Sequence, residues 1–425
     1  MPFNSSNLTG VAFYFPDYNA TLRASLAAAV DAKNDFYAST DREELIALFT
    51  ALQRPKRCSS ARFMILDDFE EQTGMGMSFH FLHCMLLQSL WERRTLVFAS
   101  SVLPGLRGKW RWCSEGSSDW SCYFEPWSPC EGYLSRRHFK PLTDRPFPPW
   151  EPNSQNLDKR IVTFWQAKDK SRQAMGRVYK TWDDPLRYSP PLMGRSWWFS
   201  ITFSVLLRLT PFLERAAVKF LEEENGMKRG ERLAVAFVRH GAKKHEESLV
   251  ASREYEKPLL RALAPNCSNT RHLLIVTESP KAIAEMTSMC TAHGWHCFYT
   301  NQTRLQSEAV HGFQSDIWNP RGFKAHSARQ PAELIGHYGW HSALNLAIAQ
   351  RATYMVGSMG SLWMRMSTVF AHRFHGEPIS VCSLRWVNYR TSRWNSAEHA
   401  ELCSERCATH PPACSRRTWT ATGEW

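Results

Sequence analysis

Seven residues able to do chemistry crowd into one short stretch: Arg239, His240, Gly241, Lys243, Lys244, Glu246 and Glu247. An arginine grips an anion through a planar fork of donors, and a nearby carboxylate can take a proton from a hydroxyl. The set suits a polyanionic ligand and a carboxylate acting on its neighbour. Just before it, Leu233–Val238 reads LAVAFV, an apolar run that predicts a buried strand, central in a parallel sheet. Open α/β sheets bind ligands in the crevice beyond the carboxyl ends of their strands. The cluster therefore stands where such a sheet does its work. The same residues also suit a solvated turn after a core strand, and Lys244 is assigned to solvent.

Two further stretches have anion-binding geometry. Gly74-Met75-Gly76 precedes the apolar segment Ser78–Trp91, which predicts a helix. A Gly-x-Gly turn lets backbone N–H groups approach a phosphate at a helix amino end, although a tight turn alone would use the same residues. Gly357-Ser358-Met359-Gly360-Ser361 follows the short strand Tyr354–Val356 and leads into a helix from Leu362. Ser361 falls near that helix amino end. Glu278, after the strand Leu273–Val276, belongs to a third strand end of the same sheet. Arg239, Glu278 and Ser361 are thus expected to converge on one crevice. His80 and His83 complete no metal pattern and are assigned to packing.

These elements belong to an α/β chain. From about residue 230 strands and helices alternate: strands near 233–238, 273–276, 296–299 and 354–356, with helices at 281–292, 341–352 and from 362. Upstream, Arg42–Leu52 has helical spacing, Phe63–Leu66 and Arg94–Phe98 predict strands, and Ser196–Leu221 predicts a helix pair broken at Pro211. The expected divisions are an N-terminal extension at 1–55, a first α/β domain at 56–225, a Rossmann-like α/β domain at 226–380 and a Cys-containing tail at 381–425.

Composition narrows the class. The 425 residues are 43% hydrophobic, with 18 Trp and 24 Phe, enough for two or three cored domains. Net charge is +12, but the basic residues are scattered and form no nucleic-acid-binding signature. An anionic small ligand accounts for the excess. The 12 Cys include no C-x-x-C pair and no zinc spacing. Cys113, Cys122 and Cys130 cluster in a Trp-rich loop, and Cys403, Cys407 and Cys414 in the tail, which points to disulfides and an oxidising compartment. Sequons at Asn4, Asn7, Asn19, Asn266 and Asn301 lean the same way. No signal peptide or membrane-length apolar run is read in the sequence.

Several motifs in order resemble the core α-(1,6)-fucosyltransferase family, which includes the bacterial nodulation fucosyltransferases. They are Pro55-Lys56-Arg57-Cys58, Gly74-Met75-Gly76 with His80, Glu92–Phe98, Trp110-Arg111-Trp112, Phe124-Glu125-Pro126 and Trp197-Trp198. Val238-Arg239-His240 with Lys243 and Glu247, Thr277-Glu278-Ser279-Pro280, and Gly360-Ser361 with Arg365 continue the series, so that the resemblance spans 55–375. It implies a GT-B type fold: two α/β (Rossmann-type) halves, a disulfide-bearing loop and an irregular tail. It implies a metal-independent, inverting glycosyltransferase moving fucose from GDP-fucose to an N-glycan-like acceptor on a glycan or glycoprotein. Golgi residence, with membrane association only through a segment outside this chain, follows from the same resemblance.

Carried over by position, Glu247 is the catalytic base and Lys243 stands beside it. Arg239, His240, Gly74, Met75, Gly76, Gly360, Ser361, Asn345 and Trp112 fall in the donor site. No metal ligand and no cofactor beyond the GDP-fucose donor are implied. The chain departs from the family pattern at His240 for a second Arg, Ala242 and Asn345 for Asp, Phe237 for a His that meets guanine, and Ser279 for Asp. The resemblance also implies a Cys58–Cys130 disulfide, while local spacing suggests Cys113–Cys122. Two other readings stay open. Arg239-His240-Gly241 is the signature of histidine-phosphatase-type phosphohydrolases, and the departures suit a catalytically inactive glycan- or nucleotide-sugar-binding relative.

Overall fold

The computed structural model describes residues 40–67, 79, 82–83, 85–86, 89, 94–98, 113, 120–137, 160–165, 195–239, 250–263, 272–302, 332–358, 361–375, 379–385 and 405–406. They fall in two compact units, 1–110 with 117–208 and 111–116 with 209–425. Each unit carries a parallel sheet, so the chain has the two α/β halves of the expected class.

The first unit is built on β1 (Phe63–Asp67), β2 (Thr95–Phe98) and β3 (Ile161–Trp165), in the order β2-β1-β3. β1 is central because Phe63, Met64, Ile65 and Leu66 are all fully buried, so both of its faces need cover. Helix α1 (Thr40–Gln53) covers the edge of β2. The Gln53 amide accepts the Leu96 N–H at 3.1 Å and donates to the Leu96 carbonyl, so it satisfies a strand edge as a further strand would. Helix α1 is therefore part of this unit's packing. Cys58 and Cys130 are joined in a disulfide, with Cα atoms 5.4 Å apart, which ties the approach to β1 to the start of α2 (Glu131–Arg137). His83 is buried and its Nδ1 lies 2.8 Å from Thr202 Oγ1 on α3 (Arg195–Leu206), a packed and hydrogen-bonded role.

The second unit opens with α4 (Pro211–Lys219). Pro211 occupies its first turn, and the Thr210 hydroxyl accepts the Leu213 N–H at 3.3 Å, a helix start written in the local sequence. The sheet then runs β6-β5-β4-β7-β8-β9, all parallel. Its strands are β4 (Leu233–Phe237), β5 (His272–Val276), β6 (His296–Phe298), β7 (Tyr354–Ser358), β8 (Ser380–Arg385) and β9 (Glu405–Arg406). Helices α5 (Glu256–Ala262), α6 (Pro280–His293), α7 (Ala332–Ala349) and α8 (Leu362–His375) connect them. Helix α6 starts at the Ser279 cap and stops at Gly294, whose φ of 64° ends the helix in the left-handed region.

Helix α7 starts at 332, earlier than the spacing predicts, because Gly336 and Gly339 dilute the apolar signal of its first half. The sheet also extends past residue 381, since β8 pairs with β7 and β9 with β8. A second described disulfide, Cys290–Cys297, joins the end of α6 to β6 across the Gly294 turn. Cys113, Cys122 and Cys382 are also disulfide-bonded.

Candidate functional site at the carboxyl ends of the second sheet

β4 is the switch point of the second sheet. The chain steps outward from β4 through β5 to β6, then returns on the other side at β7. The chain thus continues from β4 to β5 on one side and from β7 to β8 on the other, and the crevice between two such strand ends is where open sheets bind ligands.

Arg239 is the first residue beyond the β4 ladder. Val238 still donates its N–H to the Val276 carbonyl at 2.9 Å, and Arg239 is half-buried after it. The strand end beneath it is held from two sides. Tyr255, fully buried, donates its hydroxyl to the Phe237 carbonyl at 2.7 Å. Gly357 of β7 pairs with Phe237 and presses against it, since a Cβ at 357 would lie 2.9 Å from both the Phe237 Cβ and the Phe237 carbonyl oxygen.

At the end of β7, Ser361 donates its N–H to the Ser358 carbonyl at 2.9 Å, and its own carbonyl accepts the Arg365 N–H at 3.1 Å. Its hydroxyl reaches the Met364 N–H at 3.5 Å, which places Ser361 at the cap of α8. A helix of 14 residues thus begins at the switch point, with its partial positive charge and first N–H groups at that end. The third strand end, after β5, is shaped by Thr277 and Ser279. The Thr277 hydroxyl accepts the Ser279 N–H at 3.2 Å, and Glu278 between them is exposed.

Asn345 stands on α7 and is buried. Its Oδ1 accepts the Thr300 hydroxyl at 3.2 Å, just past the end of β6. With neighbouring strands about 4.8 Å apart, β6 lies roughly 14 Å from β7 across the sheet. An extended nucleoside diphosphate covers that span. The structure thus brings Arg239, Glu278, Ser361 and Asn345 to one end of one sheet. Glu247, Lys243, His240, Gly74, Met75, Gly76, Gly360 and Trp112 lie outside the described residues.

Tyr255 and Thr300 went unnoticed in the sequence. Tyr255 acts through a carbonyl made close by tertiary folding, which leaves no local pattern. Thr300 follows an expected strand directly, and that position was a usable signal.

A cavity of about 1330 Å³ in the second unit is lined by α4, α7 and the residues after β6, Thr300 among them. Phe212 and Trp340 face each other in it at 5.5 Å, and neither Arg239 nor Ser361 lines it. Among the described residues no group of three or more His, Cys, Asp or Glu is placed to hold a metal ion. Among them, too, no helix is long and apolar enough to cross a membrane.

A parallel sheet with an arginine and a helix amino end at adjoining strand ends has the parts an α/β site needs to receive an anion. No protein-family model matches the chain, and no curated protein matches its sequence. Among solved structures it is similar to NodZ α-1,6-fucosyltransferase soaked with GDP-fucose, at 14% identity and a TM-score of 0.41, over 73% of this chain and 93% of that one. It is also similar to POFUT1 in complex with GDP, at 9% identity and a TM-score of 0.40, over 75% and 98% of the two chains. A variant of Arabidopsis thaliana FUT1 in complex with GDP gives 10% identity and a TM-score of 0.36, over 85% and 79%.

Proposed function

We propose that the protein is a glycosyltransferase of the fucosyltransferase type, using GDP-fucose as donor and a glycan or glycoprotein as acceptor. One observation carries the reading: Arg239 and the Ser361-capped amino end of α8 stand at adjoining strand ends of a switch point. The ordered motifs of the sequence supply the donor. In this reading Glu247 takes the proton from the acceptor hydroxyl, with Lys243 beside it. The hydroxyl oxygen bonds to C1 of the sugar as the C1–oxygen bond to the β-phosphate breaks, through an oxocarbenium-like state and with inversion. The diphosphate leaves with the bonding electron pair. Arg239, Ser361 and the α8 amino end spread that charge, as a reaction without a metal requires. Gly74, Met75, Gly76 and Gly360 offer backbone to the phosphates, and Asn345 faces the base. Disulfides fit a secretory, Golgi-type setting.

The test has two arms. A thermal-shift screen of nucleoside diphosphates is expected to show a GDP-specific rise, since a ligand at a hundredfold excess over its dissociation constant stabilises the folded state by about 2.7 kcal/mol. Glu247→Gln is then expected to keep GDP affinity while turnover falls by about a hundredfold to ten-thousandfold. A screen in which no nucleotide stabilises the protein removes the donor site. Near-normal sugar transfer by the Gln variant removes Glu247 as base. Loss of phosphate release with His240→Ala, and none with Glu247→Gln, would instead select the phosphatase chemistry.

A further inference from the structure

The structure assigns Asn301 as a site of N-linked glycosylation, and Tyr299 as the surface on which the first sugar of that glycan rests. The inference stands on the disulfides and on local geometry, not on the donor site. Of the five sequons, only Asn301-Gln302-Thr303 has its asparagine among the described residues. The chain leaves β6 at Phe298, and residues 299–302 have no regular structure. Burial alternates from there: Tyr299 is 41% exposed, Thr300 is buried, Asn301 is exposed and Gln302 is buried. Tyr299 and Asn301 are thus the two outward members of this run, with Thr300 and Gln302 turned inward. The Gln302 N–H donates to the Thr300 carbonyl at 2.7 Å. That bond spans two residues and puts Asn301 at the apex of a three-residue turn. Thr300 and Gln302 anchor the turn from within, Thr300 through its hydroxyl to Asn345.

An asparagine so placed meets the needs of the modification. It is exposed at a turn apex, and among the described residues no element covers it. Cys58–Cys130 and Cys290–Cys297 form under oxidising conditions, which hold in the compartment where this modification occurs. Cys297 lies only four residues before Asn301, so the second disulfide reports on the same stretch of chain. The co-reactant is a lipid-diphosphate-linked oligosaccharide. The Asn301 amide nitrogen bonds to C1 of the first N-acetylhexosamine and loses one proton. The C1–oxygen bond breaks, and the lipid diphosphate departs with its electron pair.

Tyr299 adds a function to the position. It lies two residues before the asparagine and, like it, is turned outward, and an aromatic face there meets the apolar face of the first sugar ring. Aromatic side chains contribute through such contacts beyond the area they bury. The glycan then braces the exit from β6, and both residues line the cavity between α4 and α7.

The experiment uses the full chain directed through the secretory pathway of a eukaryotic host. Only molecules with the Cys290–Cys297 disulfide intact, by non-reducing peptide mapping, are scored. The expected result is a peptide N-glycosidase-sensitive glycan on the Asn301 peptide, absent in Asn301→Gln and Thr303→Ala and retained in Thr303→Ser. An unmodified Asn301 peptide in those molecules overturns the site. For the second part, the glycan's effect is the melting temperature of the glycosylated chain minus that of Asn301→Gln. That difference is expected to be positive, to persist in Tyr299→Phe and to vanish in Tyr299→Ala. An equal difference in Tyr299→Ala overturns the stacking.

Discussion

Gly357→Ala tests the packing beneath the proposed site. Gly357 lies opposite Phe237 in the β4–β7 pairing. An added Cβ would stand 2.8 Å from Met364 Sδ and 2.9 Å from the Phe237 carbonyl oxygen. The methionine end can swing aside. The carbonyl cannot, because it belongs to a central strand and holds the Tyr255 hydroxyl. The two strands must therefore separate or twist. Overpacking of this kind costs about 1–3 kcal/mol, and weakening the buried Tyr255 bond adds about 1 kcal/mol. For a unit of this size a total of about 2–4 kcal/mol lowers the melting temperature by at least about 4 °C. Two units need not unfold together, so peptide-resolved hydrogen exchange is the assay. Protection should fall in the β4 and β7 peptides and stay unchanged in β1 to β3. Tyr255→Phe should cost about 1 kcal/mol alone and less when added to Gly357→Ala. Unchanged exchange in β4 and β7 would refute the close packing.

Further outcomes follow from single contacts. Burial lowers the His272 pKa below the ordinary histidine value, against the raising effect of its 2.7 Å bond to Glu231. The unfolded chain binds that proton more readily, so stability is full above about pH 6.5 and declines as pH falls through the folded value; His272→Gln should flatten this part of a urea-midpoint profile. Cys58→Ser with Cys130→Ser opens a link across 72 residues and should cost about 4 kcal/mol, whereas opening Cys290–Cys297, 7 residues apart, should cost about 2–3 kcal/mol, both read by denaturant unfolding. Arg351 is buried, stacks 5.1 Å from the Phe374 ring centre and pairs with Glu214. Glu214→Gln strips its counter-charge and should destabilise the second unit by about 2 kcal/mol or more, with the loss of protection centred on α4 and α7.

What was legible in the sequence was the local part. Leu233–Val238 reads as a central strand and Phe63–Leu66 as a short one, because unbroken apolar runs suit strands buried on both faces. Pro211 and Ser279-Pro280 marked helix starts through cap chemistry. The rest depended on partners far along the chain. β8 was hidden in a polar tail because its face is covered by elements elsewhere in the sequence. Gln53 lies just past the expected helix Arg42–Leu52, and only the open edge of β2 gives its amide a purpose. Cys290–Cys297 matches no short motif, since its geometry comes from a helix stop and a strand return. In the candidate site, Arg239 and Ser361 could be named from strand-turn-helix order. That Phe237 and Gly357 fit against each other beneath them could not.

That fit links stability to the proposed chemistry. The register pairs Phe237 with Gly357, so Arg239 and Ser361, far apart in sequence, both emerge just beyond the same pair of strand ends. Neither the arginine fork nor a helix amino end binds a diphosphate strongly alone; together they bind it only at a fixed separation. That separation depends on the β4–β7 pairing, and the pairing leaves no room for a side chain at residue 357 against Phe237. Gly357→Ala should therefore weaken nucleoside diphosphate binding more than its loss of stability alone accounts for. Binding measured well below the unfolding transition separates the two effects. Affinity equal to the parent's, together with the expected loss of protection, would show that the anion site tolerates a wider strand pair.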